Sequence, residues 1–175
     1  MRLITVTTVV AATLFAATLP LAAAADGINL GASVGSAREN QGDFEGSDTG
    51  WKVHVGGAFS QIIGGEIGYV DFGHLGGSNA GPRARAWAPA VTVGAPLGMV
   101  NLYAKGGVAF ADIEGSSVRE EYKNNDPFWG VGMRVSLNPA NPNAGLGLRA
   151  EYERYQFDHD EIDMAQAGVE LLFGR

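Results

Sequence analysis

Lys52, His54, Glu66, Lys105, Arg134, Arg149, Glu151 and Glu170 are each flanked by apolar residues or glycine, in stretches where polar and apolar residues alternate. Charges of mixed sign in that setting do electrostatic chemistry: withheld from bulk water, they must pair with or neutralise one another. Paired permanently they form a plug of salt bridges; paired reversibly they gate a narrow ion path. Nucleophilic or acid–base catalysis needs a His beside a Ser or a carboxylate. His54 shares the alternating polar face and reads as a hydrogen-bonded interior histidine. His74 stands isolated in a Gly-rich stretch, and the cluster Asp158-His159-Asp160 has no Ser in its own loop. The chain has no Cys, which removes disulfides, thiolate nucleophiles and thiolate metal sites. No catalytic residue and no cofactor are expected.

Acidic residues gather in three other places: Glu39, Asp43, Glu45 and Asp48; Glu114, Glu120, Glu121 and Asp126; Asp158, Asp160, Glu161 and Asp163. The spacing Asp158-x-Asp160 suits Ca²⁺ ligands, but no EF-hand or nonapeptide pattern surrounds it. A solvated, mutually repelling surface is the expectation, with no metal bound. The formal charge is −7, so nucleic acid has no electrostatic claim on the chain.

The elements that must hold these residues are strands. Ile28, Leu30, Ala32 and Val34 alternate with Asn29, Gly31, Ser33 and Gly35, a period of two. Trp51, Val53, Val55, Gly57 and Phe59 oppose Lys52, His54, Gly56 and Ala58; Ile63, Ile67 and Tyr69 oppose Gly64, Glu66 and Gly68. A fourth segment, Arg83 to Ala95, alternates least cleanly, with Trp87, Val91 and Val93 outward. Met99 to Ile113 sets Val100, Leu102, Ala104, Val108 and Phe110 against Asn101, Tyr103, Lys105, Gly107 and Ala109. Phe128 to Leu137 sets Trp129, Val131, Met133 and Val135 against Gly130, Gly132, Arg134 and Ser136. Ala144 to Phe157 sets Leu146, Leu148, Ala150 and Tyr152 against Gly147, Arg149, Glu151 and Glu153.

Connections alternate long and short. Ser60-Gln61, Pro96 to Gly98 and Asn138 to Asn143 are short; Glu39 to Gly50, His74 to Pro82, Glu114 to Asp126 and the stretch around Asp158 to Glu161 are long. Eight strands joined in this way predict an all-β, eight-stranded antiparallel up-and-down transmembrane β-barrel with both termini at one end. Trp51, Tyr69, Trp87, Phe110, Trp129 and Tyr152 fall at the loop-proximal ends, where an interfacial girdle belongs. Phe59 and Phe173 mark the other rim. Glycines on the polar faces separate this reading from a soluble barrel turned the other way, because a crowded lumen needs them and a wet surface does not.

An N-terminal run supplies the compartment. Arg2 precedes an uncharged stretch from Leu3 to Leu19, Pro20 breaks it, and Ala22 to Ala25 are small. Residues 1–25 are expected to be a signal peptide cleaved near Ala25, and residues 26–175 the barrel domain.

The last strand, Gln166 to Phe173, places Ala167, Val169, Leu171 and Phe173 on one face and Gln166, Gly168 and Glu170 on the other. Its pattern of Gln166, Gly168, Leu171 and Phe173 resembles the C-terminal assembly signal of bacterial outer-membrane barrels, although Gly174 and Arg175 follow the aromatic. Gly50-Trp-Lys-Val53 and Glu66-Ile-Gly-Tyr69 resemble the second and third strands of the OmpA/OmpX-type proteins. The chain ends directly after the barrel, without the peptidoglycan-binding domain of long OmpA proteins.

That resemblance implies an outer-membrane location and a monomer. Its expected partners are outer-membrane lipids and lipopolysaccharide, the barrel-assembly machinery during biogenesis, and an extracellular ligand or host surface met by the acidic loops. The expected role is structural or surface interaction (envelope integrity, adhesion or resistance) around a plugged lumen. The alternative is a narrow, low-conductance porin-like channel. A lipid-A-modifying enzyme is the remaining class, and the chain lacks a deacylase-like His-x-Ser-Asn motif.

Pro89 sits inside the fourth segment, where it cannot donate to a ladder and has no edge on which to hide. Either pairing breaks at Ala88 to Ala90 through a bulge or a gap, or the strand starts only after Pro89.

Overall fold

The computed structural model describes residues 27–39, 47–74, 83–114, 125–156 and 161–174. Residues 1–25, Asp43, Glu45, Glu120, Glu121, Asp158, His159 and Asp160 lie outside them, so the expected signal peptide and half of the twelve acidic residues named above fall outside the described residues. Eight strands follow one another: β1 (Gly27–Glu39), β2 (Ser47–Ala58), β3 (Ile63–His74), β4 (Arg83–Leu97), β5 (Val100–Glu114), β6 (Asn125–Ser136), β7 (Ala144–Gln156) and β8 (Glu161–Gly174). Each pairs antiparallel with its sequence neighbours. β1 pairs with β8, from Gly27 opposite Gly174 to Glu39 opposite Ile162, and so closes the barrel.

Closure leaves no unpaired edge, and alternation then assigns every side chain to the outside or the lumen. Leu30, Val53, Val91, Val131, Leu148 and Leu171 are exposed on the outer surface, whereas Lys52, Glu66, Lys105, Glu151 and Glu170 are buried. In water this arrangement would be inverted; in a bilayer the exposed apolar band faces lipid, and the closed sheet pairs backbone groups from strand to strand except at a gap beside Pro89.

Several strands reach further than alternation alone predicted. β2 starts at Ser47, β6 at Asn125 and β8 at Glu161, taking in polar residues expected in loops. Antiparallel pairing extends past the apolar band because the ladder needs only backbone partners. The turn expected at Pro96 to Gly98 is tighter: Pro96 lies in β4 opposite Asn101, and the chain reverses at Gly98, whose φ of 69° suits a residue without a Cβ.

Pro89 produces a gap and no bulge. Against β3 the ladder is regular, with Ile67 opposite Pro89 and Gly68 opposite Ala88. Against β5 pairing runs from Trp87 opposite Phe110 to Ala90 opposite Gly107, with no pair at Ala88 or Pro89 and no change of register. The strand nevertheless begins at Arg83, so a start after Pro89 is ruled out. The one register shift between β3 and β4 falls instead between Asp71 and Gly73.

An apolar layer occupies the loop-proximal end of the lumen. Phe72, Phe128, Tyr155, Ile162 and Met164 are buried there with Val70 and the alanines Ala84, Ala86 and Ala88. The Tyr155 ring stacks on Phe128 with centroids 4.9 Å apart and meets Phe72 edge-on at 4.8 Å. Alanine on β4 leaves room for these rings, which is why the fourth segment alternates weakly in sequence.

Candidate functional site

Mid-barrel, four strands direct charged side chains to one point. Lys52 of β2 donates to Glu66 Oε1 of β3 at 2.8 Å and to Glu153 Oε1 of β7 at 2.7 Å. Lys105 of β5 donates to Glu151 at 2.5 Å and to Glu66 at 3.2 Å, and also contacts Glu153. Arg149 of β7 donates to Glu151 at 2.6 Å and to Glu66. On the turn side of this cluster, Arg134 of β6 donates to Glu170 of β8. His54 lies between the two groups, 2.8 Å from Arg149 Nη1 and 3.6 Å from Glu170 Oε2.

Lys52, Lys105, Arg134 and Arg149 thus stand against Glu66, Glu151, Glu153 and Glu170, and the lumen is charge-balanced. A buried ion earns its desolvation cost only when paired and further hydrogen-bonded. Neutral groups supply the rest. Tyr103 donates to Glu151 at 2.8 Å, Tyr155 to Glu153 at 2.9 Å, and Gln166 to Glu153 at 2.7 Å, while Ser33 donates to Gln166 Oε1 at 2.5 Å. The Arg149 guanidinium also lies 5.1 Å from the centre of the Tyr103 ring, within cation–π range.

Glycines make the space. A Cβ on Gly68 would lie 2.6 Å from Lys52 Cε, and one on Gly31 would lie 2.5 Å from His54 Cε1. Glu66, Glu151 and Glu153 come close enough to hold a cation between them. The ammonium groups of Lys52 and Lys105 already occupy that role, which opposes a divalent ion there.

All eight residues expected in the lumen network face the lumen. Alternation also placed Glu153 and Tyr103 inside, but it carried no sign that Glu153 would become a hub contacted by both lysines. Gln166, singled out for the C-terminal motif, is a lumen hydrogen-bonding residue as well. Gly168 faces Ala32 of β1 so closely that a Cβ would lie 2.1 Å from the Ala32 carbonyl oxygen, and Leu171 and Phe173 are exposed on the outer surface.

Trp51, Trp87, Phe110 and Trp129 are exposed outward, with Tyr69 and Tyr152 beside them. The Tyr69 ring centre is 5.7 Å from Trp51 and 5.1 Å from Trp87, and Trp129 is 6.1 Å from Tyr152.

The rim departs from two expectations. His74 is not isolated: it ends β3, its N–H donates to Asp48 Oδ2 at 2.6 Å, and its Nδ1 lies 3.5 Å from the same oxygen. Asp126, Glu161 and Asp163 do not form a repelling surface either. Arg154 pairs with Asp163 through two hydrogen bonds of 2.7 and 2.9 Å, Glu161 lies 3.8 Å from Arg154, and Asp126 is buried in β6. Strand extension into the rim brings cations of neighbouring strands alongside them.

A closed eight-stranded barrel with an apolar exterior and an ionic interior is a transmembrane barrel of the bacterial outer membrane. The chain belongs to the outer membrane protein beta-barrel domain family, whose model matches residues 7–173. No curated protein sequence matches it. Among solved structures it is similar to the N-terminal barrel domain of Pseudomonas aeruginosa OprF (TM-score 0.62, 12% identity, covering 85% of this chain and 98% of that one). Neisserial surface protein A gives a TM-score of 0.63 at 12% identity, covering 83% of this chain and 97% of that one. The outer membrane enzyme PagL gives 0.53 at 14% identity, covering 83% and 99%. At such identities the likeness is one of fold.

Proposed function

We propose that this protein serves as a non-conducting barrel with a structural and surface-interaction role in the outer membrane. The observation that carries this reading is the charge-balanced cluster of Lys52, Lys105 and Arg149 with Glu66, Glu151 and Glu153, whose side chains are all at most 4% exposed. Above it the Phe72 and Phe128 rings offer an ion no ligands, and the Tyr155 hydroxyl is engaged with Glu153. An ion path would need both layers to move.

Planar-bilayer recording of the refolded protein is the test, with no persistent conductance steps expected; stable steps abolished by lumen substitutions would establish the porin-like alternative instead. Catalysis has little support at the rim. Among the described residues, no hydroxyl hydrogen-bonds to either ring nitrogen of His74. Residues 1–25 serve as the cleaved leader in this reading, and mass spectrometry of the membrane-purified protein, expected to start at Asp26, checks it. The protein works as a monomer held by lipid and lipopolysaccharide after insertion by the assembly machinery, its outer loops meeting an extracellular ligand or a host surface.

A further inference from the structure

The lumen differs at its two ends. Toward the long connections it is filled by the Phe72, Phe128 and Tyr155 layer. Toward the short turns it opens into a polar vestibule of about 480 Å³, solvent at its open mouth included, lined among others by Asn29, Thr92, Asn101, Arg134 and Arg149 and by one carboxylate, Glu66.

Two guanidinium groups share this space. Arg134 and Arg149 are directly opposite on β6 and β7, a like-charged cross-strand pair attended by Glu170 on one side and by Glu66 and Glu151 behind Arg149. Arg134 spends Nε on Glu170, and among the described residues its two terminal nitrogens make no hydrogen bond. Its side chain is 23% exposed, so these donors are reachable. Arg149 is 4% exposed, yet its Nε has no hydrogen-bond partner; Asn29 Oδ1 is likewise buried without a donor. The two terminal nitrogens of Arg134, left unused, suit a planar or tetrahedral oxyanion held by both at once. The unused amide oxygen suits a hydroxyl beside the anionic group.

We propose that the vestibule binds a small hydroxylated oxyanion, a phosphate or a hydroxy-carboxylate, entering from the short-turn side and held by Arg134 with Arg149 behind it. This site is separate from the plug, and it can exist whether or not the barrel conducts.

Inorganic phosphate and glycolate, titrated separately into the refolded barrel in detergent at constant ionic strength set with chloride, distinguish the two sources. Arginine side-chain N–H signals of Arg134 and Arg149 are followed by NMR. Saturable shifts with one or both probes are expected, weakened about tenfold or more in Arg134→Gln, as loss of a charge-assisted hydrogen bond implies. Arg134→Lys keeps a charge for Glu170 but loses the fork, and it is expected to bind several-fold more weakly than wild type; if Arg134→Gln fails to fold, this variant decides. Shifts no larger than chloride produces, or saturable binding unchanged in the variant that folds, would overturn the proposal.

Discussion

The carbonyl oxygen of Pro89 lies against Gly107 so closely that a Cβ on Gly107 would be 2.0 Å from it. A strand residue turns its N–H and C=O toward the same neighbour, so the donor that Pro89 lacks is missing on the β5 side. The ladder lapses there and not against β3. Gly107 is what lets β5 keep its register across the gap.

Gly107→Ala should therefore destabilise the barrel by about 1–3 kcal/mol, the usual cost of overpacking, because the obstacle is backbone. Urea unfolding in lipid vesicles measures it. Pro89→Ala should show the opposite sign, gaining about 1 kcal/mol as the missing hydrogen bond forms. Equal stability of Gly107→Ala and wild type would mean that the close approach is unimportant.

Charge reversal in the lumen should be correctable only by the true partner. Glu66→Lys places a fourth cation among Lys52, Lys105 and Arg149 and should cost roughly 3–5 kcal/mol, the range for breaking a buried pair. Adding Lys105→Glu should recover part of that loss. Adding Arg134→Glu should not, because Arg134 pairs with Glu170. Rescue by Arg134→Glu in the same unfolding assay would show that the pairing is assigned wrongly.

Asp48 predicts an acid-sensitive rim. The N–H groups of His74 and Thr49 donate to its carboxylate at 2.6 and 2.7 Å and hold its pKa below the ordinary Asp range. A depressed carboxylate pKa contributes stability that is complete above the unfolded value, about 3.9, and is lost as pH falls through the lower folded value. The His74 amide proton shift, followed by NMR, should be flat near neutrality and titrate with a midpoint below about 3.9. In Asp48→Asn this transition should vanish; a wild-type midpoint above 4 would contradict the assignment.

The three tryptophans should report one depth. Trp51, Trp87 and Trp129 are all exposed outward at the loop-proximal end. Their fluorescence should shift to the blue on insertion into vesicles, and quenchers near the lipid headgroups should outperform quenchers at the bilayer centre. Trp87→Ala removes the edge-on contact with Tyr69 and should cost about 0.5–1.5 kcal/mol beyond the lost burial. Efficient quenching from the bilayer centre would displace the girdle.

Alternation by itself determined that this chain is a barrel and which side chains face lipid or lumen. Period two is local, so Lys52 and Glu170 could be assigned to the interior one strand at a time. The count of strands and the short turns then implied closure. Proline's missing donor also marked Pro89 as either a break in pairing or the limit of the strand, since a missing donor is a property of one residue.

Only the tertiary structure decided who meets whom. A face says nothing of height along the barrel axis, and height depends on the stagger accumulated around eight strands. Stagger brings Lys52 to Glu153, 101 positions away in the chain, and gives Arg134 to Glu170 and not to Glu66. The same stagger gathers Phe72, Phe128 and Tyr155 into one apolar layer from three different strands. Their meeting was not legible in the sequence, because contact between distant strands is set by register and closure, which no single strand contains.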